Sequence, residues 1–96
     1  MALAPLVASA KVVIISWVKC PFCVKAKALL QPMVAEADYK AYDVDTMDNG
    51  EAIRAEIKQH YNHETVPAVF IKGEFVGGFS EVDALNSSGK LKDMLA

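Results

Sequence analysis

The chain has 96 residues, of which 53% are hydrophobic and 23% are charged, and its formal net charge is −2 at pH 7. These values fit one folded domain over residues 1–96 and exclude a disordered tail, while the slight acidity disfavours nucleic-acid binding, which usually requires a basic face. No apolar run approaches the ~18 residues that would span a membrane, so we expect no membrane partner.

The first ten residues are apolar and rich in small side chains, and Ala8-Ser9-Ala10 is similar to a signal-peptidase site. They lack the basic start that a secretory signal carries. We therefore expect a short amphipathic first helix, with Leu3, Leu6 and Val7 on one face.

Both cysteines of the chain lie in Cys20-Pro21-Phe22-Cys23. A run of β-branched residues before the motif predicts a buried strand from Lys11 to Ser16, and the stretch after it predicts a helix from Phe22. Cys20 then lies at a helix N-terminus, where a thiolate is stabilised. Two such thiols can close a disulfide or share a metal, but the flanking elements favour redox chemistry. Reactive thiols in a small chain also indicate the cytoplasm.

A proline marks the end of the helix that follows the cysteines. Because Pro32 lacks an N–H group, the helix should end or bend near Gln31, with Met33 to Ala37 as a bent continuation. Imperfect alternation of apolar and polar residues predicts a second strand from Tyr39 to Asp45.

The third predicted helix begins at Asp48-Asn49-Gly50-Glu51, with acidic residues in its first turn. Ile53, Ile57 and Tyr61 recur at a spacing of four residues, so they should form its buried stripe.

A hairpin and a further helix complete the chain. Val66 to Ile71 predicts a third strand, Lys72-Gly73-Glu74 a tight turn, and residues 75–77 a fourth strand. The next helix should begin with Ser80 as its N-cap and Asp83 as a weak capping partner.

These elements follow the order α-β-α-β-α-β-β-α. A βαβ unit supplies two parallel strands, and the hairpin adds two antiparallel ones. We therefore predict an α/β fold, with a mixed four-stranded sheet and helices on both faces.

Three motifs together resemble those of the glutaredoxin family, whose members have the thioredoxin fold. Cys20-Pro21-Phe22-Cys23 is similar to the family's Cys-Pro-Tyr-Cys, and Thr65-Val66-Pro67 to its Thr-Val-Pro, in which the proline is cis. Gly77-Gly78 and the following Phe79-Ser80-Glu81 are similar to the double glycine and helix start that hold the γ-glutamyl group of glutathione. The resemblance covers nearly the whole chain and implies a single glutaredoxin domain with a thioredoxin-like fold.

The resemblance also implies an enzyme that exchanges thiols and disulfides with glutathione as co-substrate. Cys20 would be the nucleophile and Cys23 the resolving thiol, less exposed and with the higher pKa. Its substrates would be disulfide-bonded or glutathionylated proteins, and it would act as a monomer with no tightly bound cofactor.

The residues implied to bind glutathione belong to the three motifs or carry a positive charge: Lys19, Phe22, Arg54, Thr65, Val66, Pro67, Gly78, Phe79, Ser80 and Glu81. One position departs from the family pattern. Trp17 stands where dithiol glutaredoxins usually carry a lysine that contacts the glycine carboxylate of glutathione, so Lys19 or Arg54 would have to supply that charge. The departure leaves open whether the reducing thiol is glutathione or a conjugate of it.

Three other functions remain to be weighed. A thioredoxin-like reductase fed by a flavoprotein would lack the glutathione pocket that Gly77-Gly78-Phe79-Ser80 indicates. An iron–sulfur carrier would bind a [2Fe–2S] cluster between two chains, with Cys20 of each and two glutathiones as ligands, but Pro21 makes the turn rigid and disfavours it. A zinc site would need two further ligands that the sequence does not obviously offer.

Several titratable residues are expected to have no role in the chemistry. His60 and His63 are interpreted as solvated residues at a helix end rather than metal ligands. Asp43, Asp45 and Asp48 are interpreted as solvated loop residues rather than ligands of a divalent cation.

Overall fold

Four strands form one sheet in the computed structural model, which describes residues 2–96. They are β1 (Val12–Ser16), β2 (Tyr39–Asp43), β3 (Ala68–Ile71) and β4 (Glu74–Gly77). In the spatial order β2-β1-β3-β4, β1 is parallel to β2 and antiparallel to β3, and β3 is antiparallel to β4. The predicted mixed sheet is confirmed.

The helices cover both faces of this sheet, as predicted. They are α1 (Leu3–Val7), α2 (Pro21–Leu30), α3 (Gly50–Tyr61), α4 (Phe79–Ser88) and α5 (Lys90–Leu95). One face packs against α2, α4 and α5, and the other against α1 and α3. Within residues 2–96, none of these helices combines the length and the apolar character that crossing a membrane requires.

Strand β1 is the centre of the molecule. Its side chains alternate between the two cores, Val12 and Ile14 entering one and Val13 and Ile15 the other. All four are fully buried, which accounts for the continuous apolar run, because a strand covered on both faces needs no polar positions. Burying each side chain contributes about 1.5–3 kcal/mol. This strand ends at Ser16, and so provides a rigid support for the loop that leads to Cys20.

Helix α2 ends near Gln31, as predicted, but the expected bent continuation is wrong. A 3₁₀ turn spans Gln31–Met33, Val34 has extended backbone angles, and a second 3₁₀ turn spans Glu36–Asp38. The missing N–H of Pro32 ends the α-helical hydrogen-bond pattern, and the extended residue prevents its resumption.

Strands β2 and β3 are shorter than predicted. β2 ends at Asp43 because the chain turns into a 3₁₀ helix at Val44–Thr46. β3 begins at Ala68 rather than Val66, since Pro67 has no N–H group to donate to the neighbouring strand. The turn after β3 is tight, as predicted, with Lys72 and Gly73 both at positive φ.

The stripe predicted for α3 is confirmed at two of its three positions. Ile53 and Ile57 are buried against the sheet. Tyr61, in contrast, is 40% exposed, and its ring stacks on Phe75 of the edge strand β4 with centroids 4.8 Å apart. The last turn of the helix therefore reaches the edge of the sheet, where Tyr61 also meets Phe70 of β3 edge-on with centroids 5.6 Å apart.

Candidate active site

Cys20 is the N-cap of α2, at the helix N-terminus as predicted. Its extended backbone angles let the Sγ atom accept a hydrogen bond from the Cys23 N–H group at 3.2 Å. Pro21 occupies the first helical turn, where its missing N–H group has no helical partner to lose. The unpaired N–H groups and the helix dipole at this position favour a negatively charged sulfur.

Cys23 lies in the first turn of α2, three residues after Cys20, and is fully buried. Burial raises the pKa of the Cys23 thiol to about 12, and its hydrogen bond with Cys20 adds to the increase. At neutral pH this thiol is therefore protonated. Cys20, at the helix N-terminus, therefore has the position of a nucleophile, and Cys23, enclosed and protonated, has that of a resolving thiol.

The backbone on either side of Pro67 runs beside the nucleophile. The Val66–Pro67 peptide bond is cis, as the resemblance implies, and the Cys20 thiol donates to the Val66 carbonyl oxygen at 3.7 Å. A groove of about 390 Å³ opens here. It is lined by residues of all three motifs and by one histidine: Phe22, His63, Thr65, Val66, Gly78, Phe79, Ser80 and Glu81. The structure thus brings together most of the residues predicted to bind glutathione.

The far end of this groove is the start of α4, where the predicted capping is wrong. The N-cap is Gly78, and Ser80 lies inside the first turn. Glu81, not Asp83, reaches back: its carboxylate accepts hydrogen bonds from the Gly78 N–H group at 2.7 Å and from the Ser80 hydroxyl at 2.6 Å. These bonds, the one from Ser80 first, lower the pKa of Glu81. Gly77 is needed because a Cβ there would lie 2.7 Å from the Glu81 side chain.

His63 is a site residue that the sequence interpretation missed. Its Nε2 atom is 3.1 Å from the Pro67 carbonyl oxygen, and its ring meets Phe75 edge-on at 5.2 Å. The side chain is half-buried in the groove wall, so its interpretation as solvated is wrong, whereas His60 is exposed as expected. Its place two residues before Thr65-Val66-Pro67 is the one signal that could have indicated this role.

An aromatic pair forms the rim of the groove near Cys20. Phe22 is 56% exposed, and its ring centroid lies 6.2 Å from that of Phe79. The Lys25 ammonium is 5.2 Å from the Phe22 ring centroid, a distance that permits a cation–π contact. Lys25 is therefore a cation at this rim, and it is not among the residues that the sequence predicted to bind glutathione.

The two cations predicted to bind the glycine carboxylate do not line this groove. Lys19 is exposed beside Cys20. The Arg54 guanidinium lies 4.6 Å from the Trp17 ring centroid and donates to the Glu64 carbonyl oxygen at 2.8 Å. Arg54 and Trp17 instead line an adjoining cleft of about 400 Å³ that also contains acidic side chains.

Beneath the cysteines, an ion pair links α2 to the sheet. Lys27 lies 2.8 Å from Asp43, whose carboxylate also accepts from the buried Ser16 hydroxyl at 2.6 Å. The hydrogen bond from Lys27, followed by that from Ser16, lowers the pKa of Asp43. The interpretation of Asp43 as a solvated loop residue is therefore wrong. Asp45, by contrast, accepts from the Val18 N–H group and steadies the loop before Cys20.

Comparison with known proteins identifies relatives over most of the chain. The family model described as Glutaredoxin matches residues 12–76. Glutaredoxin-2 of Schizosaccharomyces pombe is 42% identical over 77 residues, which are 80% of this chain and 68% of that protein. Glutaredoxin-C6 of Oryza sativa subsp. japonica is 40% identical over 89 residues, which are 93% of this chain and 78% of that protein.

Solved structures agree with this result. The dithiolic glutaredoxin 2-C-Grx1 of Trypanosoma brucei brucei is 47% identical in sequence and superposes with a TM-score of 0.90. The alignment covers 98% of this chain and 95% of that one. Buckwheat glutaredoxin, solved as a complex with glutathione, is 35% identical in sequence and superposes with a TM-score of 0.88. The alignment covers 95% of this chain and 81% of that one. The chain therefore belongs to the glutaredoxin family of thiol–disulfide oxidoreductases and has the thioredoxin fold.

Proposed function

We propose that the protein uses glutathione to reduce protein–glutathione mixed disulfides and protein disulfides. The observation that carries this proposal is the position of Cys20 Sγ: it lies at a helix N-terminus and contacts the Val66 carbonyl oxygen, at the edge of a groove of about 390 Å³. A nucleophilic sulfur is thereby set beside backbone groups that a short peptide thiol can pair with.

Glutathione would bind mainly through the backbone. Its cysteine would pair with Val66 as an added strand does, next to the Cys20 sulfur. Its γ-glutamyl carboxylate would lie at the start of α4, where the N–H groups of Ser80 and Glu81 and the helix dipole favour an anion. Gly78 leaves room for the ligand, because it has no Cβ. The similar buckwheat glutaredoxin, whose structure is a complex with glutathione, supports glutathione as the ligand.

The monothiol route needs Cys20 alone. Its thiolate attacks the glutathione sulfur of a mixed disulfide, the Cys20–glutathione bond forms, and the electron pair of the broken bond leaves on the protein sulfur, which takes up a proton. The thiolate of a second glutathione then attacks the glutathione sulfur, forms glutathione disulfide and releases Cys20 as a thiolate.

The dithiol route needs both cysteines. Cys20 attacks a protein disulfide, Cys23 attacks Cys20 Sγ and releases the reduced substrate, and two glutathiones reduce the resulting Cys20–Cys23 disulfide. The burial of Cys23 suits this order, because a protonated, enclosed thiol does not compete for the first attack.

The working state that we propose is a monomer in the cytoplasm, acting on glutathionylated or disulfide-bonded proteins. One chain supplies both cysteines and the groove, so the cycle requires no second copy. A reducing compartment would keep the pair available as thiols.

Steady-state turnover of a small glutathione mixed disulfide tests the proposal. The protein should turn it over with glutathione as reductant, and Cys20→Ser should not. A comparison of glutathione with its conjugates as reductants would identify the preferred thiol. The preference would depend on the glycine end of the thiol, for which Arg54, stacked on Trp17, is a candidate contact. Absence of turnover with all of them would contradict the proposal. A brown anaerobic preparation that loses its colour with Cys20→Ser would support the iron–sulfur alternative instead.

A further inference from the structure

We propose that Lys27, anchored by Asp43, is a positioning residue that favours the thiolate form of Cys23 when Cys23 resolves a mixed disulfide with a protein substrate. This inference rests on the dithiol route of the proposed function. It concerns an ion pair that the monothiol route does not use.

The resolving step has an electrostatic difficulty. Cys23 must lose its proton before it can attack, because the thiolate is the nucleophile. It is fully buried, and burial raises its pKa to about 12. Any nearby positive charge that favours the anion would therefore increase the small reactive fraction at neutral pH.

Lys27 is placed to provide that charge. It follows Cys23 by four residues in α2, so the two side chains lie on the same face of the helix. Its side chain is only 24% exposed and is held at 2.8 Å by the Asp43 carboxylate. Asp43 is fixed in turn by the hydroxyl of Ser16, its partner in the pairing of β1 with β2. The ammonium group is thus held in the protein and not free in solvent.

Other groups around Cys23 do not replace this charge. The negative charge of the Cys20 thiolate opposes ionisation of Cys23. That charge disappears when Cys20 forms the mixed disulfide, whereas the positive charge of Lys27 still attracts the Cys23 anion. The backbone of Trp17 and the charge of Lys27 both lower the pKa of Cys23, and of these two only Lys27 carries a positive charge.

The more distant acids are already engaged. The Asp43 carboxylate is paired with Lys27, and its charge acts on Tyr39, whose pKa is raised by burial first and by Asp43 second. Asp45 binds the Val18 N–H group. Lys25 directs its ammonium toward Phe22. Among these charged groups, Lys27 is therefore the cation that acts on the Cys23 thiol.

The step itself balances as follows. Cys23 gives its proton to water, and its sulfur attacks Cys20 Sγ. The Cys20–Cys23 bond forms, and the bond from Cys20 to the substrate sulfur breaks. The electron pair leaves on the substrate sulfur, which takes a proton from water, so the enzyme dithiol is oxidised and the substrate disulfide is reduced by two electrons.

The direct test times the resolving step itself, because Cys23 is enclosed and only Cys20 can reach it. Reduced protein is mixed with an excess of an aromatic disulfide; the first aromatic thiol released reports attack by Cys20, and the second reports attack by Cys23 on Cys20 Sγ, measured against pH. Lys27→Gln should lower the rate of the second release at pH 8 about 3-fold, the effect of a pKa increase of about half a unit. Lys27→Arg should restore the rate, and Lys40→Gln, an exposed charge change on β2, should not alter it. Lys27→Met keeps the aliphatic stem and should match Lys27→Gln. An unchanged pH profile in both neutral variants would overturn the inference.

A second measurement separates this inference from the proposed function. In the otherwise wild-type protein, Lys27→Gln should slow the reduction of a protein disulfide about 3-fold, and Lys27→Arg should restore it. In a Cys23→Ser background, Lys27→Gln should not change turnover of a glutathione mixed disulfide. Failure of the unmodified protein to reduce protein disulfides would contradict the dithiol route. The other outcome would overturn only the role of Lys27. In it, the unmodified protein reduces protein disulfides, but Lys27→Gln slows turnover in the Cys23→Ser background as much as it slows protein-disulfide reduction in the otherwise wild-type protein.

Discussion

At the scale of single residues, two cysteines in the same helical turn have opposite environments. Cys20 lies at the N-cap, half-buried beside the groove, whereas Cys23 is enclosed by the core. The first sulfur can be reached by a substrate, and the second can be reached only by the first. Their roles therefore follow from position and not from any difference in chemistry.

This difference predicts distinct effects of replacing each sulfur. Cys20→Ser should abolish all exchange, because no other thiol is both accessible and at the helix N-terminus. Cys23→Ser should keep reduction of glutathione mixed disulfides and lose reduction of protein disulfides. Parallel assays of both substrates check this, and equal losses in the two variants would contradict the assigned roles.

His63 makes a second prediction at this scale. His63→Ala should weaken glutathione binding about 2- to 10-fold, the effect of losing one hydrogen bond that holds the groove wall at Pro67. His60→Ala is the matched control, since that side chain is exposed. The Michaelis constant for glutathione measures the change. An identical constant in both variants would show that the histidine does not support the groove.

At the scale of secondary-structure elements, the start of α4 depends on one carboxylate. Glu81 accepts hydrogen bonds from Gly78 and Ser80, and the backbone at Gly77, with φ of 139°, leaves the space that this side chain occupies. The same helix start forms the end of the groove. Capping therefore joins the stability of the helix to the shape of the site.

Glu81→Gln should lower the free energy of unfolding at pH 7 by about 0.5–1 kcal/mol, because the amide replaces a charged acceptor at a helix N-terminus. The pKa of Glu81 is lowered in the folded state, so its contribution is present above the ordinary carboxyl range and is lost as the pH falls. Urea unfolding should show a larger difference between the two proteins at pH 7 than at pH 3. Asp83→Asn on the same helix should have no comparable effect, and a cost as large as that of Glu81→Gln would contradict this cap.

At the scale of the whole molecule, the sheet separates two apolar cores, and β1 contributes to both. Cys23 is buried in α2, and Tyr39 is half-buried on β2. The fold therefore encloses two titratable groups that are neutral at physiological pH. Burial raises the pKa of each. The folded protein therefore holds protons at alkaline pH that the unfolded chain releases.

Stability should fall as the pH rises from about 9, the ordinary value for the Cys23 thiol, toward 12. In this range the unfolded state binds fewer protons than the folded state, and linkage then makes the free energy of unfolding decrease with pH. Denaturant unfolding at pH 7, 9 and 10.5 measures the slope. Cys23→Ser and Tyr39→Phe should each flatten it, and a slope that neither variant alters would refute this explanation.

Much of the molecule could be predicted from local patterns. Runs of β-branched residues, helical spacing and turn residues indicate the order of the strands and helices, because each depends on neighbours in the chain. The same patterns indicate Cys20 at a helix start, whereas the resemblance to glutaredoxins implies that the three motifs form one binding site. These patterns do not locate the ends of elements, such as the start of β3 at Ala68, where the missing N–H group of Pro67 outweighs an apolar run.

The α/β fold and the pair of thiols can therefore be predicted from the sequence pattern, and most of the groove around them from the resemblance to glutaredoxins. Packing of the elements brings together residues that are distant in the chain: Lys27 with Asp43, Arg54 with Trp17, and Gly50 with Val44, whose carbonyl oxygen leaves no room for a Cβ on the glycine. The physical reason is that periodicity and capping act over a few residues, whereas these contacts join separate elements. Their geometry exists only once the helices have packed on the sheet.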